Sequence, residues 1–331
     1  MLLWITIRHC PVFPLDTLNR NMDLKQLRAI IAIAETGSVT RAAQTLHVVQ
    51  PALSRQLRLL EKELGAPLFE RTRHGMHLTD AGQTLVDHAR RAMRELDRAR
   101  AEVVAPGTVS GSVAIGLLPS TSALLSGKLI ESLRAKYPDL NVRLTIGFAG
   151  HLQQWLESGE IDLALLYALK PSTLLDVQPL VDEVLYLVGP TNAGLRFDKS
   201  ISMSDVASSP LIMPSSPHGL SKLLEHACAV AGVRLTVVTE TNSMQVQKEL
   251  VSHGLGFTIL PSVAIFDDVA NRRLSAAPIT APDLSRRIVL ALPMPRRASI
   301  TVRSVANELC TLIQDIISRG GWPGARWLGD A

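Results

Sequence analysis

Side chains that can bind nucleic acid through hydrogen bonds and charge follow one another closely in the stretch QPALSRQLR. Glutamine and arginine can each make two hydrogen bonds to a base edge, and arginine also pairs with phosphates. No carboxylate occurs between Glu35 and Glu61. Three arginines fall in that interval: Arg41, Arg55 and Arg58. Because a DNA duplex repels acids and attracts these cations, the stretch predicts a DNA contact, with an ordinary solvated helix face as the open alternative.

Three consecutive helices are predicted to position this stretch. The first begins at Met22 and has apolar residues at the spacing of one buried stripe: Leu24, Leu27, Ile30, Ile31 and Ala34. Gly37 ends it, and Ser38 is placed to cap a second helix, VTRAAQTLH. The third opens with Gln50-Pro51 and is predicted to bury Leu53, Leu57, Leu60 and Leu64, so that its polar residues face away. Two short helices, a turn and a longer polar-faced helix are typical of a helix-turn-helix.

A two-stranded hairpin is predicted in GAPLFERTRHGMHLTDAG, with Gly75 at its turn. Arg71 and Arg73 lie near the tip, where a wing can place a cation against phosphates or in a narrow minor groove. His74 and His77 are close enough to suggest a metal site. An isolated histidine pair in a turn is more often solvated, so no metal is predicted.

The next segment, from Thr79 to Gly107, repeats small and apolar residues in alternating steps of four and three: Leu85, Ala89, Ala92, Leu96, Ala99 and Val103. A repeat of 3.5 residues is typical of a coiled-coil seam. We expect a dimer, because two recognition helices would then match a palindromic site. A helix packed on its own domain is the alternative.

From Gly111 onward, short β-rich runs alternate with helical stretches, which predicts an α/β domain. The tetrapeptide VRLT occurs at Val142–Thr145 and again at Val233–Thr236, each time before a helix that ends in glycine and a hydrophobic strand. Two similar lobes are therefore expected. A ligand between them would meet strand ends and helix N-termini, which favour anions.

Composition limits the remaining possibilities. The 331 residues are 47% hydrophobic and 19% charged, with a formal net charge of +4, which fits a multi-domain globular protein and excludes a disordered or collagen-like chain. Three distant cysteines favour a reducing cytoplasm over a disulfide framework. No apolar run approaches a membrane span, and residues 1–21 lack a signal-peptide pattern. We expect residues 1–21 to be a mostly disordered extension before a natural start at Met22.

The stretch from Met22 to Gly82 resembles, without gaps, the winged helix-turn-helix of LysR-type transcriptional regulators. The resemblance implies α/β architecture overall: a DNA-binding domain at 22–80, a dimerisation helix at 81–107, and at 108–331 a two-lobed effector domain of the periplasmic-binding-protein type. Lobe I is expected at about 111–182 and 286–319, and lobe II at about 183–284. The predicted DNA-binding residues are Ser38, Thr40, Arg41, Gln50, Pro51, Ser54, Arg55, Arg58, Arg71 and Arg73.

Three loops of the effector domain are predicted to contact a small molecule, such as a carboxylate or another anion. Their residues are Ser120, Thr121, Ser122, Ala149, Gly150, Ser215, Ser216 and His218. Helix capping by one of the first three hydroxyls, or simple exposure of His218, stays open. The sequence of AGHLQQWLESGEIDLALLY and LSAAPI is similar to the nitrogen assimilation control branch of the family.

The expected function is sequence-specific regulation of transcription by a cytoplasmic homodimer or homotetramer. Expected partners are promoter DNA, an effector and RNA polymerase, without a membrane and without a cofactor. No nucleophile elbow, phosphate loop or zinc-protease motif occurs, so an enzyme is not expected. The alternatives are a regulator that needs no ligand and, with less support, a binding protein or enzyme on an α/β scaffold.

Overall fold

A computed structural model of the chain describes residues 22–73, 75–104, 108–167, 169–215, 219–294 and 298–329. The predicted extension at 1–21 lies outside the described residues, as do His74, Ser216 and His218. The chain divides into two compact units, Met1–Asp97 and Arg98–Ala331. We refer to them as the N-terminal and the C-terminal unit.

The N-terminal unit contains three short helices, a hairpin and the start of a long helix. These elements are α1 Leu24–Thr36, α2 Val39–Thr45, α3 Gln50–Leu64, β1 Phe69–Thr72, β2 Gly75–Leu78 and α4 Asp80–Val104. A capping box between Asp23 and Gln26 begins α1, and Gly37 ends it in the left-handed conformation. The Ser38 hydroxyl caps α2 by accepting a hydrogen bond from the Arg41 amide. These local signals set the helix boundaries.

The core of this unit corrects two details of the predicted helix faces. Leu24 is exposed, and the buried side of α1 is instead centred on Leu27, Ile30 and Ile33. Leu64, in the last turn of α3, is 39% exposed rather than buried. Apolar spacing identifies the buried side of a helix, but it does not show where along the helix the packing stops.

The hairpin is tied to the turn between α1 and α2. The Met76 amide donates to the Gly37 carbonyl at 2.9 Å, and Phe69 pairs with Leu78 across the two antiparallel strands. Gly75 has φ of +123°, and a Cβ there would lie 2.6 Å from the Gly37 oxygen. A side chain at position 75 would therefore push the hairpin away from the helices.

Helix α4 does not present all six predicted seam residues to a partner. Ala89 is only 2% exposed, and Leu85 packs on the same N-terminal core, because the first turns of α4 cover that core. For these two positions the alternative of packing on the helix's own domain applies. Ala92, Leu96 and Ala99 are exposed, whereas the side chain of Val103 lies outside the described part. A seam can therefore use only the later turns of α4.

The C-terminal unit is an α/β structure built around one long strand. Its helices are α5 Pro119–Lys136, α6 Ala149–Glu157, α7 Met203–Ala207, α8 Gly219–Ala231, α9 Met244–Ser252, α10 Ser262–Ala270 and α11 Ile300–Ser318. Its first strands are β3 Gly111–Leu117, β4 Leu140–Ile146, β5 Leu163–Leu166, β6 Leu175–Pro190, β7 Ile201–Ser202 and β8 Pro210–Pro214. The remaining strands are β9 Thr236–Thr241, β10 Thr258–Pro261, β11 Leu274–Thr280, β12 Ser285–Pro293 and β13 Ala325–Trp327.

Strand β6 belongs to both lobes of this unit. Its first half is flanked by β12 and β13, and the strand order continues from β12 through β5 and β3 to β4. Its second half, from Leu185, is flanked by β10 and β11, with β7 beyond β11. The Leu185 amide donates to the Leu284 carbonyl at 2.8 Å, which joins the two places where the chain crosses between the lobes.

A C-terminal strap, residues 319–328, lies along the crossing strand. Within it, β13 pairs antiparallel with Val181–Glu183 of β6. Trp322 is buried, and the Ser262 hydroxyl at the start of α10 in the second lobe donates to the Pro323 carbonyl. The strap thus contacts both lobes beside the crossing.

Candidate DNA interface and effector cleft

The polar face of α3 is exposed, as the spacing of its leucines predicts. Leu53, Leu57 and Leu60 are buried, whereas Gln50 and Arg55 are exposed on the other side. No acidic residue occurs in the first turn of α3. A helix face of this composition can approach phosphates and base edges without charge repulsion.

Hydrogen bonds within α3 order the polar side chains along this face. The Gln50 amide nitrogen donates to the Ser54 hydroxyl at 2.9 Å. The Arg58 Nε donates to the Ser54 carbonyl at 3.4 Å. Pro51 is exposed at the first turn and carries no amide hydrogen. The two hydrogen bonds link Gln50, Ser54 and Arg58 in one row along the helix.

Residues from three elements line one depression beside α3, about 290 Å³ in volume. They include five of the predicted DNA-binding residues: Ser38, Thr40, Arg41, Gln50 and Arg71. The Arg41 guanidinium also donates to the Thr36 carbonyl, which holds it at the rim of the α1–α2 turn. Arg73 is exposed just after β1. The fold therefore gathers side chains from α2, α3 and the hairpin on one surface.

The C-terminal unit contains a narrow cleft between its two lobes, with a cavity volume of about 40 Å³. Its walls are mostly apolar, with Leu118, Phe148 and Tyr167 from lobe I and Leu220, Met244 and Ile259 from lobe II. Its polar lining residues include Ser120, Gln247 and Arg286. A lining of this kind suits a ligand with an apolar body and few polar groups.

A buried polar network forms one wall of the cleft. Arg286 pairs with Glu183, which is fully buried, and donates to the Ser120 hydroxyl at 2.7 Å. The second carboxylate oxygen of Glu183 accepts from the Trp322 indole at 3.0 Å. The Arg286 guanidinium also lies 4.6 Å from the ring centroid of Tyr167, a cation–π distance. Burial raises the pKa of the Tyr167 hydroxyl, which therefore stays protonated at neutral pH.

The Ser120 hydroxyl is oriented by this network. Because its oxygen accepts a hydrogen bond from Arg286, its own hydrogen remains for donation to a ligand. The Arg286 charge is balanced by Glu183 at contact distance. The network therefore offers a ligand a directed donor and little net charge.

Three helices begin at the cleft without a side-chain cap. The N-cap residues of α5, α6 and α10 are Leu118, Phe148 and Pro261, and each of them lines the cleft. Backbone N–H groups at a helix start attract negative charge. The cleft therefore combines apolar walls with electropositive ends of helices.

Among the predicted effector residues that the structure describes, only Ser120 lines this cleft. Thr121 and Ser122 instead donate to the Leu118 and Pro119 carbonyls beside them, so neither of these hydroxyls caps α5. Ala149 is buried inside α6 and Gly150 is exposed, so Phe148 is the cleft residue at that turn. The Ser215 amide donates to the Thr241 carbonyl, and Pro214 takes its place in the lining.

Sequence patterns did not indicate Arg286, Glu183, Gln247 or Tyr167. For Glu183 and Arg286 the signal was weak because a charged residue in a strand usually points to solvent. Within the described residues, no group of three or more histidine, cysteine or acidic side chains is arranged to hold a metal ion. The same part of the chain contains no helix that is long and apolar enough to cross a membrane.

A helix-turn-helix with a charged, acid-free face and a two-lobed α/β unit with a ligand cleft define a class: ligand-responsive DNA-binding proteins. Residues 24–83 match the family described as bacterial regulatory helix-turn-helix protein, lysR family. Residues 106–311 match the LysR substrate binding domain. The chain belongs to the LysR family of DNA-binding transcriptional regulators with an effector-binding domain.

Several characterised relatives are similar over nearly their whole length. The nitrogen assimilation regulatory protein nac of Klebsiella aerogenes is 31% identical over 90% of this chain and 96% of its own. OxyR of Escherichia coli K12, a DNA-binding transcriptional dual regulator, is 32% identical over 88% of this chain and 95% of its own. A full-length OxyR variant from Pseudomonas aeruginosa superposes with a TM-score of 0.69 at 26% identity, over 89% of this chain and 95% of its own. The relatives support the nitrogen assimilation branch, although OxyR proteins are equally similar in sequence.

Proposed function

We propose that α3 enters the major groove of promoter DNA. Gln50, Pro51, Ser54 and Arg55 would meet base edges, because the first turns of a recognition helix face the groove floor. Arg58, farther along the helix, would pair with the backbone. The observation that carries this assignment is the depression that collects side chains from α2, α3 and the hairpin on the acid-free surface.

The flanking residues of that surface have backbone roles in this proposal. Ser38, Thr40 and Arg41 at the start of α2 would contact phosphates on one side of the groove. Arg71 and Arg73 in the hairpin would contact phosphates or a minor groove on the other side. Such contacts position the protein and carry no sequence information directly.

Replacement of Arg55 by alanine tests the proposal. Loss of one bidentate base contact costs about 1–3 kcal/mol of discrimination, so specific affinity should fall by at least about fivefold. Arg134, a basic residue near the end of α5 in the C-terminal unit, provides a control substitution of the same type. Fluorescence anisotropy with promoter duplexes would measure both variants. Equal affinity of Arg55→Ala and wild type would contradict the assignment.

We propose that the effector is a small molecule with an anionic group and an apolar body. The uncapped starts of α5, α6 and α10 would hold the anion, the Ser120 hydroxyl would donate to it, and the apolar walls would cover the rest. Binding that favours one arrangement of the lobes would shift the population of DNA-binding states.

Ser120→Ala tests the site against a panel of aliphatic and aromatic carboxylates. A carboxylate that raises the unfolding temperature of the wild type should do so less in this variant, because one donor is lost. Ser122→Ala is the matched control, since the Ser122 hydroxyl bonds to its own helix turn. Equal shifts in Ser120→Ala and wild type would remove Ser120 from the site.

We further propose a cytoplasmic homodimer or homotetramer that holds paired helices on a palindrome and contacts RNA polymerase. The exposed turns of α4 at Ala92, Leu96 and Ala99 support the dimer. Control of nitrogen or amino-acid metabolism is proposed from the nac relatives. We expect the ligand to be bound and released unchanged, because the matching relatives are regulators.

Response to peroxide is a second candidate, because several relatives are described as hydrogen peroxide-inducible genes activators. The thiols of the C-terminal unit argue against a peroxide response and for regulation by a small-molecule effector. Burial raises the pKa of Cys310 to about 11 and also raises the pKa of Cys228. Because the thiolate is the reactive form, these two cysteines would react slowly.

A further inference from the structure

Helix α3 begins with a residue that cannot cap it. At the starts of α1 and α2, the side chains of Asp23 and Ser38 accept hydrogen bonds from backbone amides. The N-cap of α3 is Val49, whose side chain makes no such bond. Serine, threonine, aspartate and asparagine are preferred at this position because their oxygens bond to the first-turn amides. With valine at this position, α3 lacks the stabilising N-cap hydrogen bond that α1 and α2 have.

The Val49 side chain does not contribute to the core either. It is 70% exposed, the highest value among the exposed large hydrophobic residues in the described part of the chain. It follows His47, which adopts a left-handed backbone with φ of 54°, and Val48, which is 43% exposed. A residue that neither caps nor packs departs from local folding rules, and such departures are expected at functional sites.

The position of Val49 suggests what would cover it. It directly precedes Gln50, which lines the depression with Ser38 and Arg41 at the start of the recognition helix. The apolar group that base pairs present in the major groove is the C5-methyl of thymine. We propose that Val49 is a specificity determinant that selects thymine by burying its side chain against this methyl group. The inference rests on the assignment of α3 as the DNA-reading helix.

The test uses an operator selected by the full-length wild-type protein from a library of random duplexes. Each thymine of this operator is then replaced by uracil, which removes only the C5-methyl. At one thymine in each half-site, uracil should weaken wild-type binding by about fourfold, the factor that burial of one methyl group provides. Val49→Ser should bind the thymine and uracil operators equally. The ratio of the affinity for the thymine operator to that for the uracil operator is measured within each variant. Partial unfolding lowers both affinities by the same factor and leaves this ratio unchanged.

Val48→Ser is the matched control, because it removes the neighbouring exposed valine, and it should keep the fourfold ratio. The unfolding temperature of Val49→Ser should equal or exceed that of wild type, since serine adds a cap. A wild-type protein that tolerates uracil at every thymine, or a Val49→Ser variant that keeps the ratio, would overturn the role of Val49. Failure to enrich any sequence would instead overturn the DNA-reading role of α3 as well.

Discussion

The buried pair of Glu183 and Arg286 gives the sharpest stability prediction. The Arg286 side chain is 8% exposed and that of Glu183 is fully buried, so neither charge is compensated by solvent. Glu183→Gln keeps the side-chain volume but leaves the guanidinium without its counter-charge. Removing one partner of a buried pair typically costs about 3–5 kcal/mol. We therefore expect a loss of this size in the free energy of unfolding of the C-terminal unit.

Urea unfolding of the full chain, followed by tryptophan fluorescence, measures this loss. Trp155, Trp322 and Trp327, three of the four tryptophans, lie in the C-terminal unit and report its transition. Asp182→Asn is the matched control one residue earlier on the same strand. Asp182 pairs with Arg287 and Arg326, whose side chains are mostly exposed, so its loss should cost less than about 1 kcal/mol.

A double-mutant cycle makes the prediction refutable. Arg286→Met alone leaves the Glu183 carboxylate buried and should also be costly. Combining it with Glu183→Gln removes both charges, so the double variant should be more stable than the sum of the single losses predicts, by about 2 kcal/mol or more. If the two losses simply add, or if Glu183→Gln costs no more than Asp182→Asn, the pair does not act as a buried pair.

Three further predictions concern other parts of the molecule. Leu96→Glu, on the exposed part of α4, should lower the mass measured by analytical ultracentrifugation, and an unchanged mass would contradict the seam. The pKa of Glu308 is lowered: burial opposes the shift, but hydrogen bonds from Lys136 and Ser132 outweigh it. The ionised Glu308 therefore stabilises the fold above the ordinary glutamate pKa, and this stabilisation is lost as pH falls through the lowered pKa. Glu308→Gln should accordingly reduce the dependence of the free energy of unfolding on pH below about pH 4. The same pH dependence in the variant and the wild type would refute this. Peroxide treatment should change the DNA affinity of wild type no more than that of a Cys228→Ser, Cys310→Ser variant, and a change confined to wild type would support the peroxide candidate.

The exposed polar face of α3, the proposed DNA-binding surface, could be anticipated from sequence because its determinants are local. Leucine spacing fixes the side of α3 that is buried, and the absence of carboxylates marks the other side. Two residues differ from the predicted buried positions. Ile33 is buried although the predicted stripe passed over it, and Leu64 is exposed although it continues the leucine series. Ile33 lies three residues after Ile30, so helical spacing allows its burial, whereas the exposure of Leu64 depends on where packing along α3 stops, which periodicity does not encode.

Strand β6 shows why the lobe crossing was only partly predictable. Its second half is a run of buried apolar residues, a pattern that predicts a buried strand. Its first half carries Asp176, Gln178 and Pro179, which are exposed and break any alternation. Pairing with β12 supplies the hydrogen bonds there, so the extended conformation follows from tertiary structure rather than from side-chain pattern.

The polar network of the cleft could not be predicted from the sequence either, because it too depends on tertiary structure. Its hydrogen bonds join residues separated by 103, 139 and 166 positions in the chain. Each member alone has an ordinary explanation: a strand acid, a strand base, a capping serine. A buried ion pair contributes little net stability compared with apolar side chains of the same volume, so folding alone does not account for it. Its geometric consequence is specific, because Arg286 donates to the Ser120 oxygen at the cleft and leaves the Ser120 hydrogen available for a ligand. Among the predicted effector residues that the structure describes, only Ser120 lies at the cleft. Its hydroxyl is held by Arg286, a residue that the sequence patterns did not indicate.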